Sequence, residues 1–123
     1  MSKMHELKAA TDILNIALEA CEKEGEDAYI TDIFLVIGEL SSYLDDSLGM
    51  YFAEIARDTK AENAKLHFKR IPARFFCEKC NRHYDKRGSN FSCNTCGEIG
   101  KLDRTSAKEF YVEEVRTVVK GHL

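Results

Sequence analysis

Four of the five cysteines in this 123-residue chain form two closely spaced pairs. The first pair reads Cys77-Glu78-Lys79-Cys80, and twelve residues further on the second reads Cys93-Asn94-Thr95-Cys96. A two-residue spacer lets both thiolates of a pair approach one ion, and two pairs complete a tetrahedral four-sulfur site that suits Zn(II) at about 2.3 Å. Because such a site leaves no open position, the sequence predicts a structural zinc held by Cys77, Cys80, Cys93 and Cys96.

Other interpretations of the paired cysteines stay open at this point. A redox-active Cys-x-x-Cys pair uses one such motif beside a βαβ unit, whereas this chain has two motifs. Iron in a rubredoxin-like cage would use the same four sulfurs. A nucleic-acid-binding zinc ribbon is favoured by four basic residues of the module (Lys79, Arg82, Lys86 and Arg87) and opposed by the net charge of −3. His83 could replace a thiolate in another state of the site, although a solvated loop histidine is the simpler interpretation.

A second place for metal chemistry lies near the start of the chain, at Met4-His5-Glu6. Imidazole and deprotonated backbone nitrogens favour square-planar Ni(II) or Cu(II), and a carboxylate oxygen can raise the coordination number. Taken alone, however, His5 is more typical of a solvated residue at a helix start. The interpretation therefore depends on the elements that surround it.

The composition restricts the class of protein. Four of the five cysteines are clustered and no basic and apolar leader is present, which favours a metal site over a disulfide framework. No apolar run approaches the roughly 20 residues that span a bilayer. We therefore expect a cytoplasmic protein without membrane or nucleic-acid partners. It is also not expected to be an enzyme, since no nucleophile-base set, phosphate-binding glycine loop or catalytic acid pair is recognisable.

The periodicity of apolar residues predicts two helices. Apolar side chains recur at three- and four-residue steps over residues 5–24, before Gly25, and again over residues 48–56. Cys21 lies on the first stripe and is interpreted as a buried thiol. Asp45, Asp46 or Ser47 can cap the second helix.

Three strands are predicted around these helices. Residues 29–37 are rich in β-branched and aromatic types and precede Gly38, a second strand runs from about residue 65 until Pro72 ends it, and a third spans Phe110–Val119. Glu113-Glu114 interrupts the alternation of the third strand. The predicted fold is α+β: a small three-stranded sheet with two helices over residues 1–71 and 108–123, and an inserted zinc-ribbon-like module at 72–107.

The ordered combination of three motifs is specific. Met4-His5-Glu6-Leu7 opens an amphipathic helix, Ile37-Gly38-Glu39-Leu40-Ser41 follows a strand, and the paired cysteines come next. Over essentially the full chain this arrangement resembles the HypA/HybF family of hydrogenase nickel-incorporation proteins.

The resemblance implies a nickel metallochaperone that carries Ni(II) as cargo for the large subunit of [NiFe] hydrogenase and works with a HypB-like GTPase. It also implies that nickel is bound at the start of the chain by His5, Glu6 and the backbone nitrogen of Met4, with Asp45 as a further candidate ligand. Met1-Ser2-Lys3 precede this motif, so the terminal amine does not belong to Met4 as the chain stands. Either translation starts at Met4, or the first three residues are an extension and nickel uses the backbone nitrogens of Met4 and His5 instead.

Overall fold

A computed structural model describes residues 2–39, 45–87, 89–103 and 110–119 of the chain. Along the sequence the elements are α1 (Ser2–Glu22), β1 (Ala28–Gly38), α2 (Asp45–Ile55), β2 (Lys65–Ile71), β3 (Arg74–Cys77), β4 (Arg82–Asp85), β5 (Lys101–Leu102) and β6 (Phe110–Val119). The chain divides into two compact units. The first contains Met1–Leu35, Ser42–Lys69 and Val112–Leu123, and the second contains Val36–Ser41 and Arg70–Tyr111.

The two helices pack against each other in the first unit. The buried face of α1 consists of the apolar residues at helical spacing, namely Ala9, Ala10, Ile13, Leu14, Ala17 and Cys21, and α2 contributes Leu48 and Phe52. Gly25 follows α1 with a φ of 116°, a left-handed conformation that glycine adopts without strain. The predicted helices are confirmed, with α1 beginning three residues earlier and ending two residues earlier than the periodicity indicated. Cys21 is fully buried, as expected.

The predicted three-stranded sheet is also confirmed, with strand order β2-β1-β6. β1 lies in the centre and buries Ile30, Ile33 and Leu35. Exposure along β6 changes phase at Glu113 and Glu114, which are both exposed, so the partly buried positions shift from Val112 to Val115. This is the place where the sequence alternation breaks.

A second three-stranded sheet, of order β4-β3-β5, lies in the second unit. β3 pairs antiparallel with β4, with Phe75 opposite Tyr84 and Cys77 opposite Arg82, and antiparallel with β5, with Phe76 opposite Lys101. The sequence predicted a metal-held module here without identifying these strands. Its core is small and consists of Ala73, Phe75, Cys77, Tyr84 and Cys93.

Among the described residues, no helix is long and apolar enough to cross a membrane.

Candidate metal sites

The first cysteine pair lies in the turn between β3 and β4. Cys77 is the last residue of β3, and the backbone N–H of Cys80 donates to the Cys77 sulfur at 3.4 Å. Asn81 follows with a φ of 55°, a left-handed conformation that asparagine tolerates better than most residues. The turn thus directs both sulfurs of the pair, Cys77 and Cys80, to one side.

The second pair forms a turn of similar design. The N–H of Cys93 donates to the carbonyl of Glu98, and the N–H of Gly97 donates to the carbonyl of Cys93, both at 2.8 Å. Gly97 has a φ of 81°, and the N–H of Thr95 donates to the Cys93 sulfur at 3.4 Å. Each pair is therefore followed by a left-handed residue and has one sulfur that accepts a backbone N–H.

The two turns bring all four sulfurs together. Their ligand atoms lie within 4.8 Å of one another, with Cys77 Sγ to Cys96 Sγ at 3.5 Å and Cys93 Sγ to Cys80 Sγ at 3.9 Å. A tetrahedral site with Zn–S bonds of about 2.3 Å has sulfur–sulfur edges of about 3.8 Å, so the cluster fits one zinc ion. Within the described residues, no other set of three or more histidine, cysteine or carboxylate side chains could share an ion.

Charge in the cluster also suits a cation. Backbone N–H groups of Cys96 and Thr95 lower the pKa of the Cys93 thiol to about 6. The contact with Cys96, together with burial and the other thiols, raises the pKa of Cys80 to about 12. One thiolate thus forms readily whereas the next is opposed by its neighbours, and a divalent ion removes this opposition because it neutralises the sulfurs as they ionise.

Two groups that sequence reasoning did not identify hold this unit together. The Glu39 carboxylate accepts the Ala73 N–H at 2.9 Å and pairs with the Lys86 ammonium at 2.6 Å. The Lys86 hydrogen bond, followed by that of Ala73, lowers the pKa of Glu39. Tyr84 is the other group, and its hydroxyl joins two backbone segments. Glu39 stands inside the Ile37-Gly38-Glu39 motif, which was the one available signal.

The candidate nickel ligands differ in their exposure. His5 lies on the first turns of α1 and is exposed, whereas Glu6 is only 3% exposed and has an interaction of its own. Asp45 is the first residue of α2, is partly buried and also has a partner. The Met4 backbone is helical. Residues 40–44, which precede Asp45 in the GELSSYLDD loop, lie outside the described residues.

The comparison with known families identifies the chain. Residues 4–117 match the family described as "Hydrogenase/urease nickel incorporation, metallochaperone, hypA". The chain belongs to this HypA family. The match begins at the Met4-His5-Glu6 motif and includes the four-cysteine cluster, so the resemblance inferred from the three motifs is confirmed.

Relatives of the same family cover nearly the whole chain. The hydrogenase maturation factor HypA of Caldanaerobacter subterraneus is 34% identical over 112 residues, which are 91% of this chain and 97% of that protein. HypA of Desulfatibacillum aliphaticivorans is 33% identical over 112 residues, 91% of this chain and 85% of that protein.

Two solved structures share the HypA fold. The solution structure of the Ni metallochaperone HypA from Helicobacter pylori matches with a TM-score of 0.65 at 14% identity, covering 94% of this chain and 98% of that one. A second HypA solution structure gives 0.69 at 16% identity, covering 94% and 97%. At these identities the likeness concerns the fold alone.

Proposed function

We propose that this protein is a nickel metallochaperone that delivers Ni(II) for the maturation of [NiFe] hydrogenase. The observation that carries the proposal is the family match over residues 4–117, which starts at the His5 motif. His5 supports it because its side chain is exposed at the start of α1, where a cargo ion can be taken up and released without disturbing a core. Ni(II) is the substrate in this proposal.

We assign the primary nickel ligands to the His5 imidazole and the backbone nitrogen of Met4. Because α1 begins at Ser2, the Met4 N–H belongs to the first four of the helix, which have no acceptor within it. Recruiting this nitrogen therefore breaks no helical hydrogen bond. Deprotonated amide and imidazole nitrogens together favour a planar site.

Glu6 and Asp45 are proposed as additional oxygen ligands that require movement. Glu6 reaches a surface ion only if its buried carboxylate turns outward and leaves its present interaction. Asp45 would leave the amino-terminal turn of α2, where a carboxylate is favoured by the helix dipole. Both residues then bind nickel only after an energetic cost, and His5 remains the ligand on which the site depends.

We further propose that Cys77, Cys80, Cys93 and Cys96 hold a structural zinc ion in the module at 72–107, while residues 1–71 and 108–123 carry the nickel function. The four sulfurs close the coordination sphere, which supports a structural role over cargo binding. The small core of the second unit supports the same role, since an ion supplies folding free energy where few apolar side chains do.

The proposed partners are a HypB-like GTPase and the large subunit of [NiFe] hydrogenase, and the protein itself would transfer metal without being an enzyme. We place this function in the cytoplasm. All five cysteines are free and four need to be thiolates, a condition that a reducing compartment maintains.

Binding of nucleic acid through the module is the weaker alternative. Of the four basic residues that favoured it, Lys79 pairs with Glu98 at 3.8 Å and Lys86 with Glu39 at 2.6 Å. Lys86 is mostly buried in its pair, and the exposed Lys79 shares its charge with Glu98, so of these four described residues Arg82 and Arg87 are the best placed for phosphate contacts; affinity for phosphate grows with the number of such contacts.

The test is a nickel titration of His5→Ala, with His67→Ala as a histidine control in the same unit. We expect His5→Ala to lose high-affinity nickel binding and to retain zinc and its circular dichroism, because an exposed side chain at a helix start contributes little packing. His67→Ala should bind nickel like the wild type. An unchanged titration in His5→Ala would remove the proposed site.

A further inference from the structure

The second cysteine pair is carried by a short hairpin with few contacts of its own. Ser92 and Ile99 form an isolated antiparallel bridge, and inside it the Cys93 N–H donates to Glu98. One residue beyond the bridge lie Phe91 on the incoming arm and Gly100 on the outgoing arm. The position of Cys93 and Cys96 follows from how these two arms are held.

One hydroxyl group joins the two arms. Tyr84 Oη donates to the carbonyl of Phe91 at 2.6 Å and accepts the N–H of Gly100 at 2.8 Å. In a regular hairpin the backbones of residues 91 and 100 would pair directly with each other. Here the Tyr84 hydroxyl lies between them and bonds to both. Tyr84 belongs to β4, which is part of the first hairpin, the one that carries Cys77 and Cys80. A single side chain thus connects the two halves of the sulfur cluster.

The orientation of this hydroxyl is fixed by packing. Tyr84 is only 7% exposed, and its ring stacks on Phe75 at 5.7 Å between centroids and 19° between planes. Phe75 lies opposite Tyr84 in the β3–β4 register and two residues before Cys77. Phe91 packs edge-on against the same Phe75 ring, at 5.7 Å and 64°. The ring has little freedom, so the hydroxyl remains directed at the second hairpin.

Other side chains that join the hairpins are poorly placed to fix their geometry. Lys79 pairs with Glu98, and Lys101 pairs with Glu78, but the side chains of both pairs are 63–76% exposed. Exposed ion pairs contribute little because water competes for both charges. Backbone pairing of β5 with β3 holds the outgoing arm against the first hairpin. Apart from the sulfurs, the described side-chain hydrogen bonds that join the hairpins in a buried position are those of the Tyr84 hydroxyl, and they tie the incoming arm at Phe91 to the outgoing arm at Gly100.

We propose that Tyr84 is a positioning residue of the metal site, which sets where Cys93 and Cys96 stand relative to Cys77 and Cys80. The inference rests on the proposed structural zinc. Without the hydroxyl, the Phe91 carbonyl and Gly100 N–H lose their bridge, and the second hairpin shifts relative to the first. The ion then binds a less preorganised set of sulfurs and leaves it more easily.

The experiment compares wild-type protein with Tyr84→Phe, which keeps the ring and removes the hydroxyl. Tyr111→Phe is the matched control, since Tyr111 is 48% exposed. Zinc release to an excess of a chromophoric chelator should be about tenfold faster in Tyr84→Phe, in keeping with the loss of two buried hydrogen bonds. In fully cadmium-loaded protein, the ¹¹³Cd resonance should shift in Tyr84→Phe and stay in place in Tyr111→Phe.

The two readouts separate the outcomes. Faster release with an unchanged cadmium resonance would mean that Tyr84 only stabilises the unit, and this overturns the positioning role, as would unchanged release. If Tyr84→Phe does not fold, 3-fluorotyrosine placed at position 84 keeps the ring and hydroxyl but changes the strength of its hydrogen bonds, and it should shift the cadmium resonance whereas 3-fluorotyrosine at position 111 should not; an unshifted resonance overturns the proposal. A wild-type protein without stoichiometric zinc would instead overturn the zinc proposal itself.

Discussion

A row of side chains crosses the three strands of the first sheet. The ring of His67 on β2 stacks on the Phe34 ring of β1 with centroids 4.4 Å apart. The Arg116 guanidinium on β6 lies 4.6 Å from the centre of the Phe34 ring. His67 Nε2 also lies 2.7 Å from an oxygen of Asp32. Hydrogen bonds from two side chains lower the pKa of the Asp32 carboxyl, and the bond with His67 has a larger effect than the bond with Thr31.

We predict that this carboxylate makes the first unit sensitive to acid. Because the folded pKa lies below the unfolded value of about 3.9, the ionised group stabilises the fold above that value, and its contribution disappears as the pH falls through the folded pKa. Asp32→Asn should therefore be less stable than the wild type at pH 5.5 and should approach it at pH 3. Urea unfolding followed by helical circular dichroism measures the difference. A gap that widens toward pH 3 would contradict the assignment.

At the scale of the elements, replacing two glycines by alanine should have opposite effects on the protein. Gly49 lies inside α2, where an added Cβ would meet no atom within 4 Å beyond its chain neighbours and the backbone of its own helix, whereas a Cβ on Gly100 would lie 2.3 Å from the Phe76 carbonyl oxygen. Gly49→Ala should stabilise the protein by about 0.5–1 kcal/mol because alanine favours a helix interior. Gly100→Ala should displace the segment after the second cysteine pair from β3 and accelerate zinc loss.

Chemical denaturation and chelator kinetics on both variants check these expectations. Each glycine serves as the control for the other, since the substitution is the same. Equal zinc release in the two variants would show that the close approach of residue 100 to β3 is unimportant for the ion.

The elements also differ in how well the sequence predicts them. α1, β1 and β6 have 21, 11 and 10 residues, which is long enough for the apolar period to be recognised. β3, β4 and β5 have four, four and two residues, too few for any periodicity, and they are stabilised by contacts around the sulfur cluster. The cysteine spacing therefore predicted the site but not the strands that hold it.

The supporting side chains were beyond sequence reasoning for a different reason. Tyr84 hydrogen-bonds to Phe91 and Gly100, which follow it by 7 and 16 positions in the sequence. Glu39 hydrogen-bonds to Ala73, which follows it by 34 positions. Such pairs depend on the fold and have no local pattern. The same holds for Glu6, whose burial follows from the packing of α1 and not from its neighbours in the chain.

At the scale of the whole molecule, the two units should respond differently to the loss of zinc. The first unit has an extensive apolar core from two helices and a sheet, whereas the described residues around the sulfur cluster in the second unit form a small core of Ala73, Phe75, Tyr84 and two cysteines. We predict that a strong chelator unfolds the second unit and leaves α1 and α2 intact. Hydrogen exchange should show lost protection in β3 and β4 with retained protection in α1. Simultaneous loss in both would mean that the chain unfolds as one cooperative structure.

The place of Tyr84 has an optical consequence. The chain contains no tryptophan and five tyrosines, so its ultraviolet emission comes from phenol rings alone. Between residues 72 and 107 the only tyrosine is Tyr84, and it shares a buried cluster with Cys77 and Cys93. A thiolate can quench an excited phenol nearby by donating an electron to it. Coordination to a metal ion engages the sulfur lone pairs and suppresses this quenching. We therefore expect tyrosine emission to change when zinc is removed, above a constant contribution from the other four tyrosines, and the change should be absent in Tyr84→Phe.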